Sequence, residues 1–282
     1  MPACRVIQWS ANALYTQQDR ITRDIRLHSV SVSPDGRRAY LSYLGGGYLT
    51  LDTGDLADAR PTPELRLLTP VSQAAIWPNG TVHSAVKLFG RSVVLTTDEI
   101  YGDLLDPLTK EESGCPWGWA HVIDIADEAR PRVIGEFRIP ENQPDYCASP
   151  LGRDPNQTTW TSYSPHNPTV ARNVALVTWH SGGLRAIDLE DPSRPSEGGR
   201  FKPEPLSSVA TEDPALSLGY DRVVFWSYPI IDRGFIHVVD IRNGLYILRY
   251  HGPGAGEVNR IRFLEGNSNV GDALEIEARR RP

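Results

Sequence analysis

One unit of this chain is written four times over. "HSVSVSPDGRRAYLSYLGGGYLTLDTGDLADARP" begins at His28, and "HSAVKLFGRSVVLTTDE", interrupted by an insertion and resumed by "GWAHVIDIADEARP", begins at His83. "HNPTVARNVALVTWHSGGLRAIDLEDPSRP" begins at His166 and "SYPIIDRGFIHVVDIRNGLYILRY" at Ser227. Each copy reads as a β-rich run, a glycine-containing turn and a second apolar run, which in three copies closes on an aspartate (Asp52, Asp124, Asp188). The turn glycines Gly47, Gly118, Gly183 and Gly244 are 71, 65 and 61 residues apart. A sheet of this size cannot cover both its own faces, so adjacent copies must cover each other. The expected fold is all-β: a β-propeller of four-stranded blades in a single domain over residues 1–282, with repeats at about 28–79, 80–145, 160–205 and 220–255. Four blades are visible; five blades and a truncated larger ring remain alternatives. Residues 1–27, through "RVIQW" and "RITRDIRL", read as outer strands of a preceding blade that would close the ring by pairing with the last.

Composition agrees with short strands joined by turns. Of 282 residues, 24 are Gly and 23 Pro, about a sixth of the chain, whereas the two together usually make up roughly 12%. The net charge of −6 comes with no basic stripe beyond the terminal "ARRRP", which excludes a nucleic-acid partner that would have to be held through its phosphates. No apolar run is long enough to span a membrane, and no signal peptide is visible at the N-terminus. The three cysteines are Cys4, Cys115 and Cys147. Cys115 and Cys147 both lie in proline-rich loop sequence; a disulfide between them and two separate thiols are both open, and no zinc-type spacing occurs.

"GLRAIDLEDPSRP", "AHVIDIADEARP" and "FIHVVDIRNGLYILRY" resemble the LVIVD-repeat family of bacterial and archaeal propellers. The resemblance covers residues 28–250. It is specific in the second and third copies and looser in the first, which lacks Asp-Pro, and in the fourth, where Arg249 replaces the aspartate. It implies a secreted or cell-surface module and a fold more than an activity.

The histidines carry the chemistry. His28, His83 and His166 stand at one position of the repeat, just before the first strand, and Ser227 takes that place in the fourth copy. First strands line the axis of a propeller, so equivalent positions converge. Glu99 and His180 align with each other at the far end of the second strand. Three imidazoles and a carboxylate suit one transition-metal ion, Zn, Fe, Cu or Mn, with Glu99 and His180 as catalytic candidates and Asp98 as a further or outer partner. The structural alternative is that each histidine caps a turn and was copied by duplication. His121 and His237 lie inside apolar runs and are expected to be hydrogen-bonded sheet residues. Of Trp117, Trp119, Trp179, Trp226 and Tyr228, most should pack between blades and one or two should line a pocket. The acidic insertion after Asp98 could lid the channel, or hold calcium through Glu99, Asp103 and Asp106, or be plain solvated loop.

Two function classes follow. One is a binding module that takes a protein, peptide, glycan or small molecule on one face. The other is a metal-dependent oxidoreductase or hydrolase in which His28, His83 and His166 hold the ion.

Overall fold

The computed structural model describes residues 7–78, 80–103, 113–154, 160–217, 221–266 and 270–271. The first sheet contains β1 (Ser29–Val32), β2 (Arg38–Tyr43), β3 (Gly47–Asp52) and β4 (Arg66–Leu67). The second repeat supplies β5 (Val82–Lys87) and β6 (Val93–Asp98), then a two-stranded ribbon, β7 (Tyr101–Asp103) with β8 (Ser113–Trp117), and then β9 (Ala120–Asp124) and β10 (Arg132–Phe137). The third sheet contains β11 (Pro165–Val170), β12 (Val174–Trp179), β13 (Gly183–Asp188) and β14 (Ser196–Phe201). The fourth sheet has five strands: β15 (Ile230–Asp232), β16 (Phe235–Asp240), β17 (Gly244–Leu248), β18 (Phe263–Glu265) and β19 (Val270–Gly271). The first three are four-stranded antiparallel meanders in which the first strand of the repeat is one edge. The fourth departs from the expected blade, because β18 pairs with β15 along the edge that carries no paired strand in the other three.

The period-2 alternation of each inner strand assigns its two faces to two different cores. In β12, Val174 and Leu176 face Phe225 and the fourth sheet's Ile236 and Val238, while Ala175 and Val177 face the second sheet's Leu95 and Val122. In β6, Val93 and Leu95 face the third sheet, whereas Val94 joins Tyr40 and Tyr48 against the first. In β2, Ala39, Leu41 and Tyr43 turn away from the second sheet and are covered by Ala11, Tyr15 and Ile25. Consecutive sheets are therefore stacked face to face. Truncating a buried leucine of these cores, such as Leu95 or Leu176, to Ala costs about 2–5 kcal/mol.

Residues 7–27 contradict the expectation of outer strands. They contain no strand; Gln17–Thr22 is a short helix, and the segment packs on the first sheet instead of pairing with the last. The cause is local: the hydroxyl of Thr16 accepts from the Asp19 amide while the Asp19 carboxylate accepts from the Thr16 amide, a capping box that starts a helix. Among the described residues the far face of the fourth sheet stays open, with Leu245 and Ile247 59% and 57% exposed.

The repeated aspartates have a common task. Asp52, Asp124 and Asp188 each accept, through one carboxylate oxygen, the amide two residues on, from Gly54, Ala126 and Glu190, all at 2.9 Å, and so fix the turn that leaves the strand. The turn glycines divide. Gly47, Gly183 and Gly244 have φ of 89°, 83° and 115°, a region other residues avoid. Gly118 lies outside that region and is required sterically, since a Cβ there would overlap the carbonyl of Asp98.

Candidate metal centre

Strand geometry brings the repeated histidines together. The first strands of the first three sheets lie beside one another, and the Ser31 hydroxyl donates across to the Ala85 carbonyl at 2.7 Å. His28 immediately precedes β1, and its amide donates to the Ser42 carbonyl at 2.8 Å. His83 is the second residue of β5 and falls where the β5–β6 register shifts, between Val82 and Ser84. His166 is the second residue of β11 and falls in the corresponding shift, between Pro165 and Pro168. A β-bulge puts an extra residue into one strand and re-aims its side chain. Both imidazoles leave their strands at such an irregularity. Glu99 and His180 each follow the last residue of a second strand, Asp98 and Trp179, so they reach the same centre from equivalent positions.

The rings form a chain around Glu99. Centroids of His28 and His83 are 3.9 Å apart, those of His83 and His166 4.5 Å, and those of His166 and His180 5.2 Å. Glu99 Oε2 lies 3.4 Å from His83 Nε2, while Oε1 lies 3.1 Å from His166 Nε2 and 3.7 Å from His180 Nε2. His28, His83 and Glu99 offer ligand atoms all within 4.8 Å of one another, and so do Glu99, His166 and His180. The expected set of His28, His83 and His166 is thus distributed over two groups that meet at Glu99, and His180 joins one of them.

The other ring nitrogen of every one of these histidines is engaged. Nδ1 of His28 lies 2.9 Å from the Ser29 hydroxyl and 3.1 Å from the His83 carbonyl. Nδ1 of His83 lies 2.9 Å from the Ser84 hydroxyl, and Nδ1 of His180 2.9 Å from the Ser162 hydroxyl. The Trp226 carbonyl accepts from His166 Nδ1, and the Asn167 amide group lies 2.7 Å from that same nitrogen. Fixing one nitrogen sets the ring's tautomer and orientation and directs Nε2 to a ligand.

His83, His166 and His180 are buried, Glu99 is nearly so, and His28 is exposed, which leaves the centre open on that side. Burial pushes the His83 imidazole well below its usual range and so keeps it neutral. Burial raises Glu99, but the hydrogen bond from His166 and the surrounding imidazoles outweigh it and hold the carboxyl well below the ordinary carboxylate range. Neutral imidazole and ionised carboxylate are the forms that bind metal, which His83 and Glu99 are held in, and the donor types and ring orientations of the set suit a borderline divalent ion.

Several expected roles are redistributed. Asp98 is not an outer partner of the centre, because alternation in β6 turns it to the opposite face. There it accepts from the Trp77 indole N–H at 2.5 Å and lies 3.5 Å from His121 Nδ1. His121 is not the hydrogen-bonded sheet residue expected: it is wholly buried, and among the described residues neither ring nitrogen has a hydrogen-bond partner. Trp77 stacks on its ring at 3.6 Å, and burial, reinforced by the Arg138 charge, pushes its pKa down to about 3. His237 is a half-buried residue of β16. Trp117 and Trp179 are core, and the Tyr228 hydroxyl donates to Glu265. Trp226 lines the centre: its ring is 4.2 Å from His166, 4.7 Å from His180 and 4.2 Å from Trp160. It stands next to Ser227, so the fourth repeat contributes an aromatic wall where the others contribute imidazole. In the insertion, Glu99 turns to the histidines and not to a calcium loop, and Asp106 lies outside the described residues. Cys115 and Cys147 form a disulfide, with Cα atoms 5.2 Å apart, while Cys4 lies outside the described residues.

No family model matches the chain, and no curated protein matches it. Among solved structures it is similar to apo AztD from Citrobacter koseri, at 15% identity and a TM-score of 0.35, covering 86% of this chain and 51% of that one. It is also similar to virginiamycin B lyase from Staphylococcus aureus, at 13% identity and a TM-score of 0.30, covering 86% and 74%. A third match is the Cps50 (Swd1) β-propeller domain of Myceliophthora thermophila, at 14% identity and a TM-score of 0.25, covering 87% and 89%. The chain spans about half the length of AztD and of two further structures it matches, 49% and 54% of theirs. Likeness at these scores carries no argument about activity.

Proposed function

We propose that the chain is a β-propeller binding module of LVIVD type whose working feature is an axial transition-metal centre built on Glu99. The single observation that carries this reading is the double engagement of the histidines: Nε2 of His83, His166 and His180 faces one carboxylate, while Nδ1 of each is held by a neighbour. A turn-capping histidine needs only the second of these contacts. The open side at His28 leaves room for water or a ligand in the coordination sphere, the arrangement that distinguishes catalytic from closed structural sites. A bound divalent ion would supply Lewis acidity there, the property that metal-assisted hydrolysis uses, and a redox-active ion such as Fe or Cu would be needed for oxidation. The chain's own residues orient the donors, and the Trp226 ring packs against His166 and His180. The Cys115–Cys147 disulfide supports an extracytoplasmic location, where such bonds persist. No helix among the described residues is long and apolar enough to cross a membrane.

Metal analysis of protein purified without a histidine tag tests the reading. Stoichiometric metal that disappears in a His83→Ala/His166→Ala variant is expected. A folded wild type that neither retains nor takes up metal would overturn it.

A second reading rests on a different observation, the apolar strip formed by Phe235, Val239, Leu245 and Ile247 on the open face of the fourth sheet, which suits a protein or peptide partner.

A further inference from the structure

We propose that the axial centre holds two divalent ions, with the Glu99 carboxylate bridging them. His28 and His83 bind one ion beside Oε2, and His166 and His180 bind the other beside Oε1. This rests on the metal-binding reading given above and specifies its nuclearity.

The donors divide by the two oxygens of a single side chain. Oε2 faces His83, and Oε1 faces His166 and His180. The ligand atoms fall into two clusters of three with Glu99 as their shared member, and His83 and His166, though adjacent in the ring chain, belong to different clusters. A mononuclear site would draw all its nitrogens to one point at metal–nitrogen distances of about 2.0–2.1 Å. A carboxylate that presents one oxygen to His83, which His28 adjoins, and the other to His166 and His180 is arranged for two ions, which in two-metal sites lie about 3.5–4 Å apart.

Each pair also has its own orienting partners. His28 and His83 are fixed by the serines that follow them, Ser29 and Ser84, and by the backbone link from His28 Nδ1 to the His83 carbonyl. His166 and His180 are fixed by Asn167, the Trp226 carbonyl and Ser162. The first pair comes from the first two sheets and the second from the third, so each ion would tie a different part of the fold to the Glu99 strand end.

Two nitrogens and one oxygen per ion leave coordination positions unfilled on both. Two dications against one carboxylate leave the centre strongly positive, and the ligand it selects is therefore an anion: hydroxide, or an anionic oxygen of a substrate that spans both ions. Access is from the exposed His28, whereas Trp226, in ring contact with Trp160, packs against His166 and His180.

The test uses the full tag-free chain equilibrated with Zn²⁺ alone, with bound metal counted per chain. The expected value is two for the wild type and one each for His28→Ala/His83→Ala and His166→Ala/His180→Ala, with affinity for both ions at least tenfold weaker in Glu99→Gln. A wild-type value of one, lost equally on replacing either pair, overturns the two-ion centre and leaves the single-metal reading standing. A value of zero overturns both. Because the second pair is buried and its variant could misfold, Cu²⁺-loaded wild type provides a measurement that needs no variant. Electron paramagnetic resonance should show the exchange-coupled signal of neighbouring Cu²⁺ ions; an isolated-Cu²⁺ spectrum at saturation overturns the proposal.

Discussion

At the residue scale, the decisive feature of each histidine is what holds the nitrogen that does not face Glu99. Ser162 is buried and places its hydroxyl 2.9 Å from His180 Nδ1. Replacing it with Ala should leave the fold intact and weaken Zn²⁺ binding about 10–100-fold, read by competitive titration, because outer partners of metal-bound histidines typically contribute that much. An unchanged affinity would show that the hydroxyl is only a local cap. The neighbouring acid behaves differently. Asp98 is wholly buried, and burial raises its pKa well above the usual carboxylate range. A carboxyl with a raised folded pKa contributes stability below its unfolded pKa of about 4 and loses it as pH rises through the folded value. Asp98→Asn keeps an acceptor for Trp77 and removes the titration. Its melting temperature should match the wild type near pH 4 and exceed it increasingly toward neutrality; a constant offset across that range would contradict the assignment. The histidine positions were legible because the repeat aligns His28, His83 and His166. The direction of the side chains was not, since it depends on bulges in β5 and β11 that no spacing announces.

At the scale of elements, the repeat was legible wherever chemistry recurs with a fixed period. The Asp-ended strands and their glycine turns are where the alignment places them, because the carboxylate-to-amide bond of Asp52, Asp124 and Asp188 needs an aspartate at one place only. Two elements escaped. The helix at Gln17–Thr22 was hidden by its apolar β-like neighbours, although Thr16 and Asp19 spell its cap. The added strands β18 and β19 lie beyond the last repeat and have no counterpart in the others. The disulfide joins β8 to the short helix Pro144–Ala148 across a separation of 32 residues, beside the core that packs the second sheet on the third. Replacing both cysteines with Ser should lower unfolding stability by about 2–5 kcal/mol. Denaturant titration of oxidised wild type and variant measures this, and no shift in midpoint would mean that the loop is pinned by its packing alone.

At the scale of the molecule, four sheets stacked face to face place the starts of three equivalent strands at one centre, and a function distributed over sequence positions 28 to 180 becomes local. That convergence follows from the repeat and could be anticipated. The partition of the donors about the two oxygens of Glu99 could not, because it depends on side-chain orientation set by Ser84, Asn167 and Ser162. The most direct test is anomalous diffraction at the zinc edge from crystals of tag-free protein grown with Zn²⁺. The expected result is anomalous density at the Glu99 carboxylate, with metal–nitrogen distances of about 2.0–2.1 Å to Nε2 of His83 and His166. Crystals at saturating zinc with no anomalous peak among these histidines would contradict the account.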